Sequence, residues 1–175
     1  MNKECMNELA TRQSIRKFTD APVSDDVIED ILKMAFQAPS AGNRQPWRVV
    51  VVRDRDKLEE LSRAAFNQKF ISTCQVLFGI FGVPEESAER YGDRGRNLYV
   101  LQDTAALTYA LLLGIHFNGL GGCWIGAFDD ALVAKAFNAP PGYRPVAMIP
   151  VGAYEKAPPP RPRRDMAEVV LKESF

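Results

Sequence analysis

The chain has 175 residues, 46% hydrophobic and 25% charged, the composition of an ordinary globular domain long enough to bury a core without disulfides or a structural metal. Its 22 basic residues balance its 22 acidic ones, so no summed field draws it to nucleic acid or to an anionic membrane, and any electrostatic recognition is local. Cys5, Cys74 and Cys123 are odd in number and lack a Cys-x-x-Cys pair, which argues against a disulfide framework or a zinc site and fits idle thiols in a reducing cytoplasm.

Glu4 and Glu8 stand where a secretory leader would need a basic start and an apolar run, so a cytoplasmic protein is expected. In Arg12-Gln13-Ser14-Ile15-Arg16, extended backbone places Arg12, Ser14 and Arg16 on one side. Two guanidinium forks and a hydroxyl suit a phosphate, although for this segment alone a solvated turn pairing with Asp20 or Asp25 is the simpler reading. Ser24 then caps an amphipathic helix with the stripe Val27, Ile28, Ile31, Leu32 and Ala35, which Pro39 stops.

Trp47–Val52 is a β-branched run and reads as a core strand, as do 76–81 and 146–151. Helices are expected near 57–66, 98–117 and 129–137, giving an α+β order. The 98–117 helix is apolar on nearly every side and its apolar run, 105–115, is too short to cross a bilayer, so it reads as a buried helix that a dimer interface would help to cover. The charged segment 84–97, with Gly92 and Gly95, reads as a mobile connection and a candidate lid. From 157 to 175 the chain becomes an extended basic arm in which Pro158, Pro159, Pro160 and Pro162 alternate with Arg161, Arg163 and Arg164. No internal repeat appears, and 1–175 is read as one domain.

One loop is more specific than the rest. Pro39, Ser40, Asn43, Gln45 and Pro46 gather small residues and two amides directly before the Trp47 strand, offering donors and acceptors to a flat heterocycle. Gly119-Leu120-Gly121-Gly122-Cys123-Trp124 follows a helix instead of a strand and has Trp124 in place of the last glycine, so it is not a dinucleotide fingerprint, and Gly119 reads as a helix stop. His116, the only histidine, is expected as a packed helix-end residue without a catalytic role; Tyr91, Arg94 and Arg96 are explained about as well by a solvated loop as by contact with a substrate.

Taken in order, Arg12-x-Ser14-x-Arg16, Ala38-Pro39-Ser40-x-x-Asn43-x-Gln45-Pro46-Trp47, Gly119-Leu120-Gly121-x-x-Trp124-Ile125-Gly126 and the basic tail resemble the nitroreductase family over nearly the whole chain. The resemblance implies a central, mainly antiparallel sheet surrounded by helices, in an intertwined homodimer with FMN at the subunit interface. It implies that Arg12, Gln13 and Ser14 meet the FMN phosphate or ribityl chain, that Arg16 lies near the N1 and O2 edge of the ring, and that Asn67 contacts the flavin from the same chain. Pro39, Ser40, Asn43 and Gln45 would come from the partner, the backbone of Ile125, Gly126 and Ala127 would approach N5, and Arg161 and Arg163, with Arg164 as the alternate, would close around the phosphate. The pattern departs at 67–70, where Phe70 stands at the position of a lysine in many relatives and Lys69 is one place away.

The activity implied is hydride transfer from NADH or NADPH through flavin N5 to a small electron-poor acceptor such as a nitroaromatic or a quinone, with no protein side chain as a catalytic group, no metal, no nucleic acid and no membrane. Dehalogenation, enone reduction and flavin breakdown on the same scaffold, or an FMN-storage module without turnover, are the alternatives.

Overall fold

The architecture is that of a computed structural model in which residues 9–175 are described; Glu4, Cys5 and Glu8 lie outside the described residues. The Ser24 hydroxyl accepts the Val27 N–H and caps helix α1 (Asp25–Ala35), whose Ile28, Ile31 and Ala35 are buried at the spacing read from the sequence. Strand β1 (Trp47–Val52) follows, then α2 (Arg55–Ala64), β2 (Val76–Gly82), α3 (Pro84–Arg94), α4 (Val100–Phe117), the short β3 (Gly121–Gly122), α5 (Asp130–Ala136), β4 (Arg144–Gly152) and α6 (Met166–Val169).

The four strands form one sheet in the order β1-β2-β4-β3, with every neighbouring pair antiparallel. β2 is central because it is apolar on both faces, and all seven of its residues are buried. Val76, Phe78 and Ile80 pack with Ile31 of α1 and with Leu107, Leu111 and Ile115 of α4, while Leu77 and Phe81 pack on the opposite face with Leu58 and Leu61 of α2 and Val133 of α5. Each such fully buried side chain contributes about 1.5–3 kcal/mol. Helices therefore cover both faces, the α+β arrangement expected.

One expectation is corrected. The segment 84–97, read as a mobile connection between core elements, is helical: Pro84 occupies the first turn with Glu85 and Glu86 beside it, which is a helix-start signal that the later glycines mask in the sequence. The helix breaks at Gly92 (φ 54, ψ −140) and resumes through a π-helical turn, Gly95–Tyr99, before α4. The run from Pro84 to Phe117 has the length and hydropathy of a membrane span, but half of its apolar window is buried within the chain, against α1 and the sheet. Gly119 (φ +70) ends α4 as expected, donating to the His116 carbonyl at 2.9 Å while Leu120 donates to that of Ile115 at 3.0 Å.

Candidate functional site

At the C-terminal end of α4 the chain passes through β3, and the 12–16 segment docks beside it. The Ile15 N–H donates to the Gly122 carbonyl (3.0 Å), Ser14 pairs with Gly122 in a parallel bridge, and the Ile15 side chain is buried. Only glycine fits at 121, because a Cβ there would stand 2.6 Å from the Ile15 Cβ. The Thr11 hydroxyl lies 3.1 Å from His116 Nε2 and fixes the start of the segment to the last turn of α4.

So placed, Arg12, Gln13, Ser14 and Arg16 line a cleft of about 400 Å³ with Pro158, Pro159, Arg161 and Arg163 of the tail. Alternation accounts for Arg12, Ser14 and Arg16; it did not anticipate Gln13. None of the four guanidiniums meets a carboxylate among the described residues, and Asp25, the pairing partner in the simpler reading, instead holds Arg53 at 2.7 Å. Arg164 is outside the cleft lining and pairs with Glu168 at 3.1 Å. Four cations left without counter-charge around one hydroxyl have the chemistry that suits a dianion.

Beside this cleft the Arg16 guanidinium lies 5.8 Å over the Phe70 ring, so Phe70, not Lys69, meets it. Asn67 is exposed in left-handed backbone (φ 60), and Gln68 ties this stretch to the next by donating Nε2 to the Ala127 carbonyl at 3.0 Å. Both backbone groups of Ile125 are taken by Met148 (2.9 and 3.0 Å), whereas the N–H groups of Gly126 and Ala127 reach no protein acceptor among the described residues. Burial pushes the Cys123 thiol up, against the opposing effect of Arg16, Ser14 and Arg12 nearby, so it is a neutral thiol beneath the segment.

Pro39, Ser40, Asn43 and Gln45 are not in this cleft. Their loop sits at the opposite end of α4, where the Ala41 N–H donates to Asp103 Oδ1 at 2.9 Å. Asp103 and His116 are thirteen residues apart on one helix, about 20 Å at 1.5 Å per residue. Gly42, Asn43 and Gln45 all have positive φ (56, 54 and 51), and the turn is closed by the Gln45 N–H on Ser40 Oγ (3.0 Å) and by Gln45 Nε2 on Asn43 Oδ1 (3.1 Å). Left-handed backbone at non-glycine residues costs of order 1 kcal/mol each and persists only where the surroundings hold it. Asp103 is that support, and the sequence analysis missed it; its signal was a single carboxylate within the buried stripe Val100, Thr104, Leu107 and Leu111. Its Oδ2 has no partner among the described residues, and burial raises its carboxyl above the usual range.

The sequence profile of the nitroreductase family matches residues 9–75 and 63–153. A protein of Archaeoglobus fulgidus provisionally named NADH dehydrogenase/NAD(P)H nitroreductase is 37% identical over 136 residues, 78% of this chain and 75% of that one. The FMN reductase [NAD(P)H] of Bacillus subtilis is 26% identical over 155 residues, covering 89% of this chain and 56% of its own length. The crystal structure of a nitroreductase-like protein from Streptococcus mutans superposes with a TM-score of 0.89 at 25% identity, over 98% of each chain.

Proposed function

The chain belongs to the nitroreductase family, and on that premise we propose that it is an FMN-dependent oxidoreductase that moves a hydride from NADH or NADPH to a small electron-poor acceptor. The observation that carries this reading is the cleft of Arg12, Ser14, Arg16, Arg161 and Arg163, whose guanidiniums have no carboxylate partner among the described residues and so fit one terminal phosphate. Arg12, Ser14, Arg161 and Arg163 would hold that phosphate, with Gln13 beside the ribityl chain, and Arg164, engaged by Glu168, would not take part. Arg16, which meets Phe70, would lie toward the N1 and O2 edge, and Asn67 would contact the ring. The unengaged N–H groups of Gly126 and Ala127 would face N5; Ile125, both of whose backbone groups serve Met148, would hold them in place. When bound, FMN would supply the hydride-accepting and hydride-donating chemistry, and these residues would hold and orient it.

The separation along α4 supports a site shared by two copies. One chain carries the cationic cleft at the His116 end and the Ser40–Asn43–Gln45 turn at the Asp103 end, and a two-fold axis that packs two α4 helices antiparallel would bring the turn of each onto the cleft of the other. α4 keeps a partly open stripe of Ala105, Ala106, Tyr109, Leu113 and Phe117 for such packing, and the arm beyond 157 exposes Met166, Val169, Val170 and Leu171. The test is direct: purified protein should be yellow, release FMN and not FAD on denaturation, and bleach rapidly with NADH or NADPH under anaerobic conditions. Colourless protein that takes up no added FMN overturns the reading; bound FMN that does not bleach makes the chain a storage module.

A further inference from the structure

Helix α3 carries four carboxylates, and arginines answer all of them. Arg96 pairs with both Glu85 (2.8 Å) and Asp93 (2.7 Å), Arg48 pairs with Glu86, and Arg44 pairs with Glu89. Two guanidiniums of the same helix are left over. Arg90 lies 5.5 Å over the Tyr91 ring; Arg94 lies 5.3 Å over the Tyr99 ring and donates Nε to the Tyr99 hydroxyl at 3.0 Å. Both are exposed, and neither meets a carboxylate among the described residues. The Tyr91 and Tyr99 rings touch edge to face at 5.1 Å, so the two cation–π pairs form one patch. A guanidinium resting on an aromatic face is held in one plane with its outer N–H edge open, ready for a bidentate anion.

The backbone beneath the patch is unusual. Residues eight apart in an uninterrupted α-helix are separated by about 12 Å along its axis. Here the left-handed Gly92 and the π-helical turn Gly95–Tyr99 intervene, and the two tyrosine rings meet. Such breaks cost energy and gather at functional sites. Their location fits: a Cβ on Gly42 would stand 2.4 Å from the Tyr91 hydroxyl and 2.9 Å from Arg90 Nη1, so the patch abuts the turn that carries Ser40, Asn43 and Gln45.

We propose that Arg90 and Arg94, seated on Tyr91 and Tyr99, bind the anionic group of a molecule that exchanges hydride at this site: a carboxylate, sulfonate or phosphate of the acceptor, or the 2′-phosphate that distinguishes NADPH from NADH. The inference rests on the flavin reading above and adds a substrate class to it. Of the three residues singled out in the sequence, Tyr91 and Arg94 belong to this patch, while Arg96 is neutralised by Glu85 and Asp93; Arg90 and Tyr99 complete it.

The test uses holoenzyme and the double variant Arg90→Ala/Arg94→Ala, both checked for equal FMN content. Equilibrium binding of 4-nitrobenzoate and of its neutral methyl ester to the oxidised protein is followed by the visible spectrum of the flavin, and KM is measured for both compounds and for NADPH and NADH. Wild type should prefer 4-nitrobenzoate over the ester, or NADPH over NADH, by about tenfold or more, the worth of one charge-assisted contact. The double variant should lose that preference without change toward the ester or toward NADH, and Arg90→Lys/Arg94→Lys should recover part of it. Loss in the nitrobenzoate pair assigns the anion to the acceptor, and loss in the nucleotide pair assigns it to the donor. Wild type without either preference, or a preference that survives in the double variant, overturns the proposal. Failure of the flavin reading is separate: it leaves the ester unreduced by wild type.

Discussion

The two ends of α4 handle polar groups in opposite ways. At the Asp103 end, Ser40, Asn43 and Gln45 bond to one another and the Ala41 N–H bonds to the helix, so a turn with left-handed Gly42, Asn43 and Gln45 is held in a single shape. At the His116 end, Arg12, Arg16, Arg161 and Arg163 have no anionic partner among the described residues, and the segment is held by its backbone and by Ile15 instead. One end specifies form and the other supplies charge. That division suits the shared site proposed above, in which each chain would contribute a rigid edge to one cofactor and a charged cradle to the other.

The largest effect expected is at the charged end. Arg12→Glu both deletes a charge-assisted contact and adds repulsion, together at least about 3 kcal/mol, so FMN affinity should fall about 100-fold or more. Arg163→Ala should cost about tenfold, whereas Arg164→Ala, which breaks only an exposed pair with Glu168, should fall within the about 0–1 kcal/mol of surface pairs. Fluorescence of released FMN against dilution measures all three; an Arg164 effect equal to that of Arg163 would erase the distinction drawn from the tail.

At the form-giving end, Asp103→Ala leaves the Ala41 N–H without its acceptor and should lower stability by about 1–3 kcal/mol in denaturant unfolding. Asp103→Asn keeps an acceptor and separates hydrogen bonding from charge. Because burial holds the Asp103 carboxyl above its unfolded value, the stability it contributes is full below the ordinary carboxylate range and is lost as pH rises through the raised folded value. The Asn variant should therefore gain on wild type as pH rises through and above the ordinary carboxylate range. A constant difference across that window would show that Asp103 contributes no pH-dependent term.

The smallest effect concerns Arg16, which the comparison places with charge and the proposed function places near the ring. Removing a cation near the flavin makes two-electron reduction harder; a loss of about 1–2 kcal/mol lowers the midpoint by about 20–45 mV. Arg16→Ala should show this shift and Arg163→Ala should not. Equal behaviour of the two would make Arg16 a phosphate ligand.

Much of this was legible in the sequence because it rests on local rules. β1 runs from Trp47 to Val52 as its β-branched run indicates, and α1 obeys its Ser24 cap and apolar stripe. Arg12, Ser14 and Arg16 share a cleft because extended backbone alternates. What was not legible depends on distant partners. α3 was hidden because its glycines outweigh the Pro84 start, and its helical state is supported by Arg44 and Arg48 reaching it from the preceding loop and strand. The short β3 exists only through pairing with β4 and the Ile15 segment, and Asp103 could not be matched to Ala41, 62 positions away.

The claim that one site draws on both copies is tested most directly by mixed dimers of an Arg12→Glu chain with an Asn43→Ala chain, each carrying a different purification tag. In the shared arrangement one site of the mixed dimer combines both substitutions and the other combines neither. The account predicts one FMN bound per mixed dimer with wild-type affinity and one empty site. Two equally weakened sites, or a monomeric protein that binds FMN fully, would contradict it.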